Sequence, residues 1–114
     1  MGYRSDVAIA LSKEAAALLK ARLEAATPDE RYLLDNADLH DTDEESGDEL
    51  WRWHYVKFYE ELREVAFINS FLHELDPSNY LFIRVGETYD DIEIRGDYWL
   101  NAFNLDVATS IVTN

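Results

Sequence analysis

Reactive chemistry in this chain rests on carboxylates, because it holds 24 Asp and Glu, three His and no Cys. Without cysteine there is no disulfide framework, thiolate zinc site or thiol nucleophile. Asp41, Asp43 and Glu45 have the one-three-five spacing of a calcium loop. The glycine that such a loop needs next is replaced by Ser46, and the acid at its twelfth position by Arg52, so the two most demanding positions fail. Glu87, Asp90, Asp91 and Glu93 could gather oxygen ligands at a turn. Asp91 and Glu93 share a strand face while Asp90 and Asp91 do not, and the expected reading is a solvated turn. His40, His54 and His73 fall on a loop, a strand and a helix, with no His-x-x-x-His pair. Of these, His54 is expected to pack among its aromatic neighbours. No serine has a Gly-x-Ser-x-Gly context, and the four glycines are too scattered to cradle phosphate. The expectation is a protein that is not an enzyme and uses no cofactor or metal. A metal-dependent enzyme is the weakest of the alternatives.

Charge is the stronger signal. The formal net charge is −14. Residues 1–34 balance five acids with five bases, whereas residues 35–49 hold eight acids and no Lys or Arg. Those eight are Asp35, Asp38, Asp41, Asp43, Glu44, Glu45, Asp48 and Glu49. Such a block repels itself, buries little, and is expected to be a solvated acidic surface loop. Direct nucleic-acid binding is disfavoured, because phosphates need clusters of Lys and Arg. No apolar run approaches the ~20 residues of a spanning helix, and no signal peptide is read at the N-terminus. A cytoplasmic protein without membrane contact is expected.

The elements that must carry these residues follow from periodicity. Tyr3 to Leu11 alternates as a strand, with Tyr3, Ser5, Val7, Ile9 and Leu11 on one face and Ala8 and Ala10 on the other. Ser12 is an N-cap, and Lys13 to Ala26 is rich in helix formers. Thr27-Pro28 opens a further short turn of helix through Leu34. Leu50 to Tyr59 is dense in aromatics and predicts a strand. It sets Trp51, Trp53, Tyr55, Lys57 and Tyr59 on one face and Arg52, His54, Val56 and Phe58 on the other. Leu62, Val65, Ile68, Leu72 and Leu75 form a helical stripe, ended by the turn Asp76-Pro77-Ser78-Asn79. Strands are expected at 80–85, 91–95 and 107–112.

This order predicts a single α+β domain over residues 1–114. Its architecture is a two-layer sandwich, a mostly antiparallel sheet of about five strands with two main helices on one face. Val7, Ile9, Leu19, Leu23, Leu62, Val65, Ile68, Leu72, Ile83 and Val85 are expected to form its core.

The opening Met1-Gly2-Tyr3-Arg4-Ser5-Asp6-Val7-Ala8-Ile9-Ala10 resembles that of a group of small uncharacterised accessory proteins of tailed bacteriophages and prophages. So do Phe82-Ile83-Arg84-Val85-Gly86-Glu87 and Tyr89-Asp90-Asp91-Ile92-Glu93, with an aromatic strand like 51–59 between them. The resemblance implies a phage-encoded protein made in the bacterial cytoplasm. It carries over no catalytic residue, and it does not extend to the acidic block.

Two surfaces are candidates for interaction. One is the acidic block, which would occupy a basic host protein surface, as a nucleic-acid mimic that inhibits a host defence or DNA-processing protein. The other is the aromatic stripe of Trp51, Trp53, Tyr55 and Tyr59, read either as core alone or as core plus an exposed patch. A homodimer or larger homo-oligomer, joined through the sheet face or edge and without mimicry, is the alternative.

Overall fold

Strand β1 (Ser5–Leu11) runs through the middle of the fold in the computed structural model, which describes residues 2–88, 90–107 and 111–113. On one side it pairs with β3 (Glu49–Val56) and on the other with β4 (Tyr80–Gly86), both antiparallel. Strand β2 (Leu39–Thr42) lies outside β3, and β5 (Ile92–Gly96) lies outside β4. The sheet order is therefore β2-β3-β1-β4-β5, all antiparallel. The fold is α+β, as the period changes predict.

Helix α1 (Lys13–Glu24) starts where Ser12 Oγ accepts the amide of Ala15, and helix α3 (Arg63–His73) follows the stripe of 62–75. Both lie on one face of the sheet together with the four-residue α2 (Tyr32–Asp35). Their Ala15, Ala16, Leu19, Leu33, Leu34, Val65, Ile68, Phe71 and Leu72 pack on Val7, Ile9, Leu11, Trp51, Trp53 and Phe82. Leu23 and Leu62 are partly buried at the margin of this core. Thr27 and Glu30 cap each other ahead of α2: the Thr27 amide donates to Glu30 Oε1 at 2.9 Å and the Glu30 amide to Thr27 Oγ1 at 3.2 Å.

Two expectations change at this level. The sheet face opposite the helices, which a two-layer sandwich leaves open, is covered, and Ala8 and Ala10 are buried there. They belong, with Leu50, Leu81, Ile83 and Val85, to a second core on the opposite face of the sheet. Phe103, Leu105 and Ile111 cover that face. The last predicted strand does not join the sheet either. Among the described residues it is a hairpin of β6 (Leu105–Val107) and β7 (Ile111–Thr113), and residues 108–110 of the predicted span lie outside them. Small Ala side chains on the central strand let this segment approach closely, which is why they alternate with larger residues without being an exposed face. Ile83 and Val85 are buried as expected, but in this second core.

The fifth strand of the sheet comes from the acidic block. Residues 35–49 are not a solvated loop: Asp35 closes α2, residues 39–42 form β2, and Glu49 opens β3. An exposed edge strand needs no apolar alternation, since neither of its faces must be buried, so its sequence carries no period-two signal.

A candidate interaction surface on the β2 edge

The acidic hairpin is built by its own turn. The Asp43 amide donates to Asp48 O and the Gly47 amide to Asp43 O, both at 2.8 Å. Gly47 sits at φ +80°, a left-handed conformation that disfavours any side chain there. The Asp43 carboxylate accepts from Ser46 N and Ser46 Oγ, each at 2.8 Å. These bonds hold its pKa below the usual Asp value, the backbone amide first and the hydroxyl second.

The eight acids then divide by what they touch. Asp48 is only 3% exposed. Both of its oxygens accept from Tyr98 Oη, at 2.8 and 2.9 Å, and Oδ2 also accepts the Ala102 amide at 3.0 Å. It ties the segment that covers the second core to the hairpin and presents no charge to a partner. Tyr98 responds with a hydroxyl pKa pushed up to about 12, by burial first, then by the Asp48 hydrogen bond and charge. Asp35 pairs with Arg31 at 2.9 Å. Glu49 meets His40 Nε2 at 2.7 Å, and the His40 ring stacks on Trp51 with centroids 4.1 Å apart. Asp38 accepts the His54 amide at 2.6 Å, and Asp41 accepts the amide of Thr42. Their free oxygens, with Glu44 and Glu45 at the hairpin tip, remain on the surface. Asp38, Asp41, Asp43, Glu44 and Glu45 thus form one acidic edge, and residues 32–51 contain no Lys or Arg.

The aromatic stripe separates into two environments. Trp51 and Trp53 are core, and Trp53 Nε1 donates to Leu33 O at 2.7 Å, which satisfies the indole and pins α2. Beyond Trp53 the alternation breaks. Val7 pairs with Trp53 but Ser5 pairs with Val56, so β3 carries one extra residue, a β-bulge. The bulge sends Val56 and Phe58 to the helix-side core and turns Tyr55 outward, 65% exposed and at φ 56°. Asp6 Oδ1 accepts the Tyr55 amide at 3.0 Å and the Arg4 guanidinium lies 5.5 Å from the ring centroid. Tyr59 is partly buried. His54 is exposed rather than packed: Trp53 before it points into the helix-side core, and Tyr55 after it is turned out to solvent.

The acids of the 87–93 turn are engaged differently. Arg84 bonds Asp91 through two nitrogens at 2.9 and 3.2 Å, Glu93 at 3.1 Å and Ser5 Oγ at 3.1 Å. Tyr3 Oη donates to Asp91 at 2.6 Å, and the Arg4 amide to Glu87 at 2.7 Å. Asp91 and Glu93 do share a face, and a guanidinium fills the place a metal would need. The Asp91 pKa is lowered by Arg84 first and Tyr3 second. Tyr89 of this turn lies outside the described residues. Among the described residues no three His, Asp or Glu side chains gather to hold a metal ion, and no helix is long and apolar enough to cross a membrane. Nothing in the sequence pattern marked Asp48 apart from its neighbours, or Tyr98 and Arg84 as their partners.

Fold and surface together define an α+β protein with one acidic sheet edge, whose turn at Gly47 lies beside the Lys13 side chain of α1. No family model, curated protein or solved structure matches the chain.

Proposed function

We propose that this is a small acidic interaction protein of phage type, acting in the bacterial cytoplasm, that docks its β2 edge on a basic surface of a host protein. The observation that carries this reading is the run of Asp38, Asp41, Asp43, Glu44 and Glu45 along one edge and tip, with no Lys or Arg in residues 32–51. At about 3.3 Å per residue, Asp38 to Glu45 spans at most roughly 23 Å. Five charges over that length leave roughly 6 Å between neighbours, sparser than one per 3.4 Å for a single nucleic-acid strand and one per 1.7 Å for a duplex. The sign of the charge, rather than its spacing, points to a basic groove that holds nucleic acid, as in a host defence or DNA-processing protein.

The test is a pulldown from bacterial host lysate at low and high salt, followed by association kinetics with the protein it returns. Asp41→Asn, Glu44→Gln and Glu45→Gln are combined, leaving Asp43 to cap its turn. The variant should associate more slowly at low salt and converge on wild type at high salt, because surface charges mainly steer encounter. Equal association rates at both salts would refute the electrostatic reading.

A further inference from the structure

The opposite edge of the sheet has the chemistry for a different partner. Strand β5 reads Ile92-Glu93-Ile94-Arg95-Gly96 and has a neighbour on one side only. The Gly86 amide donates to Asp91 O at 2.8 Å, closing the β4–β5 ladder. By antiparallel alternation Glu93 and Arg95 then bond to β4, and the backbone groups of Ile92, Ile94 and Gly96 point outward. The Ile92 amide is turned back to Asp90 O at 2.9 Å, so of this strand's outward donors Ile94 and Gly96 remain. Ile92 and Ile94 are 40% and 43% exposed on the face opposite Glu93 and Arg95.

We propose that β5 pairs antiparallel with β5 of a second copy of this chain, about a two-fold axis at Ile94, extending the two sheets into one. The sequence of the strand is self-complementary about that axis. Ile94 faces Ile94, and Glu93 of each copy faces Arg95 of the other, a favourable cross-strand pair. Exposed Ile92 lies opposite Gly96, which has no side chain to oppose it. The two Ile94 residues exchange two hydrogen bonds, and each Gly96 amide reaches the opposing Ile92 carbonyl, for four in all. An axis at Glu93 instead sets Glu93 against Glu93 and, with the Ile92 amides occupied, leaves two. An axis at Arg95 also allows four bonds, between Ile94 and Gly96, but sets Arg95 against Arg95, so complementary charge chooses the Ile94 register. The ladder stops at Gly96, whose φ of +80° turns the chain away. The β2 edge lacks this complementarity, since Leu39-His40-Asp41-Thr42 offers no Lys or Arg to face its acid.

The inference is independent of the acidic-edge reading, and sedimentation equilibrium of the full chain from micromolar to millimolar concentration tests it. Wild type should approach twice the chain mass. Ile94→Lys and Ile94→Glu, each checked for an unchanged circular dichroism spectrum, should be monomeric, since like charges then face each other at the axis. Mixing these two variants should restore a dimer, because only a two-fold at residue 94 places the opposite charges together. A monomeric wild type, variants that still dimerise, or a mixture that stays monomeric would each overturn the proposal.

Discussion

Acidic residues border both ends of the sheet, yet they behave in opposite ways. At the β5 end, Asp91 and Glu93 converge on Arg84, Glu93 also meets Arg95 at 3.1 Å, and Arg95 reaches Asn69 of α3 at 2.7 Å. At the β2 end, Asp41 accepts its own neighbour's amide, and Asp43 bonds Ser46. Carboxylates matched by guanidinium hold structure together. Carboxylates not matched by a guanidinium make the local potential negative and are available to something outside the molecule. The same residue type therefore takes two roles, decided by whether the fold brings an arginine beside it.

Removing that arginine should have the largest effect on stability. Arg84→Met keeps an apolar stem but leaves Asp91 and Glu93 facing each other. Breaking a buried pair from one side costs ~3–5 kcal/mol, and the partial exposure of both acids screens this to about 2 kcal/mol. Chemical denaturation should show that loss. A loss no larger than that of an ordinary surface substitution would erase the contrast between the two ends.

Next in size is Tyr98→Phe, which takes the hydroxyl donor from buried Asp48 and should cost about 1–2 kcal/mol. Asp48 belongs by sequence to the acidic block, but by this measure it acts as the matched acids do. The phenol pKa is raised, so its contribution is complete below pH 10.0, the ordinary value, and is lost as pH rises to about 12. The stability difference between wild type and variant should therefore shrink over that alkaline range in thermal melts.

A smaller effect is expected on the acid side. Asp91, Asp43 and Asp76 all have lowered pKa values in the folded state, through Arg84, Ser46 and Ser78 respectively. Their stabilisation is present above the ordinary Asp value near 3.9 and lost as pH falls below it, because the unfolded chain binds those protons first. In Arg84→Met the Asp91 share of this acid loss should shrink to the part that the Tyr3 hydroxyl sustains, which melts below pH 4 (roughly the ordinary value) would reveal.

The smallest effect is predicted for the β2 edge. The combined Asp41→Asn, Glu44→Gln and Glu45→Gln variant should change stability by no more than about 0.5 kcal/mol, in the direction of a gain, as self-repulsion is relieved. A clear destabilisation in the same denaturation assay would mean that these acids have cation partners after all.

The fold is legible in the sequence where burial imposes a period. The stripe Val65, Ile68, Leu72 and the alternation of Val7, Ile9 and Leu11 each face one core, so spacing alone exposes them. It is not legible at β2, whose four residues bury neither face and leave no pattern. Nor is it legible beyond Trp53, because a single extra residue reverses parity and only the pairing partner reveals it. In α1, Leu18 is exposed although it is large and apolar, while the small Ala15 and Ala16 are buried with Leu19. At the candidate surface, the absence of any base in 35–49 was legible, but not which of its acids stay free.

Local rules within the sequence thus determined the α+β class, the helix starts, the central strands and the sign of the surface charge, since each depends on neighbours a few residues away. Tertiary structure decided that an acidic segment supplies an edge strand, that the C-terminal segment covers the second sheet face, and that Asp48 is spent on Tyr98. It also decided that Arg84 answers Asp91 and Glu93. These outcomes depend on groups far apart in sequence, 50 residues for Tyr98 and Asp48 and more for Phe103 and Ala8. Their energy comes from desolvation and hydrogen bonding that exist only once the sheet has brought them together.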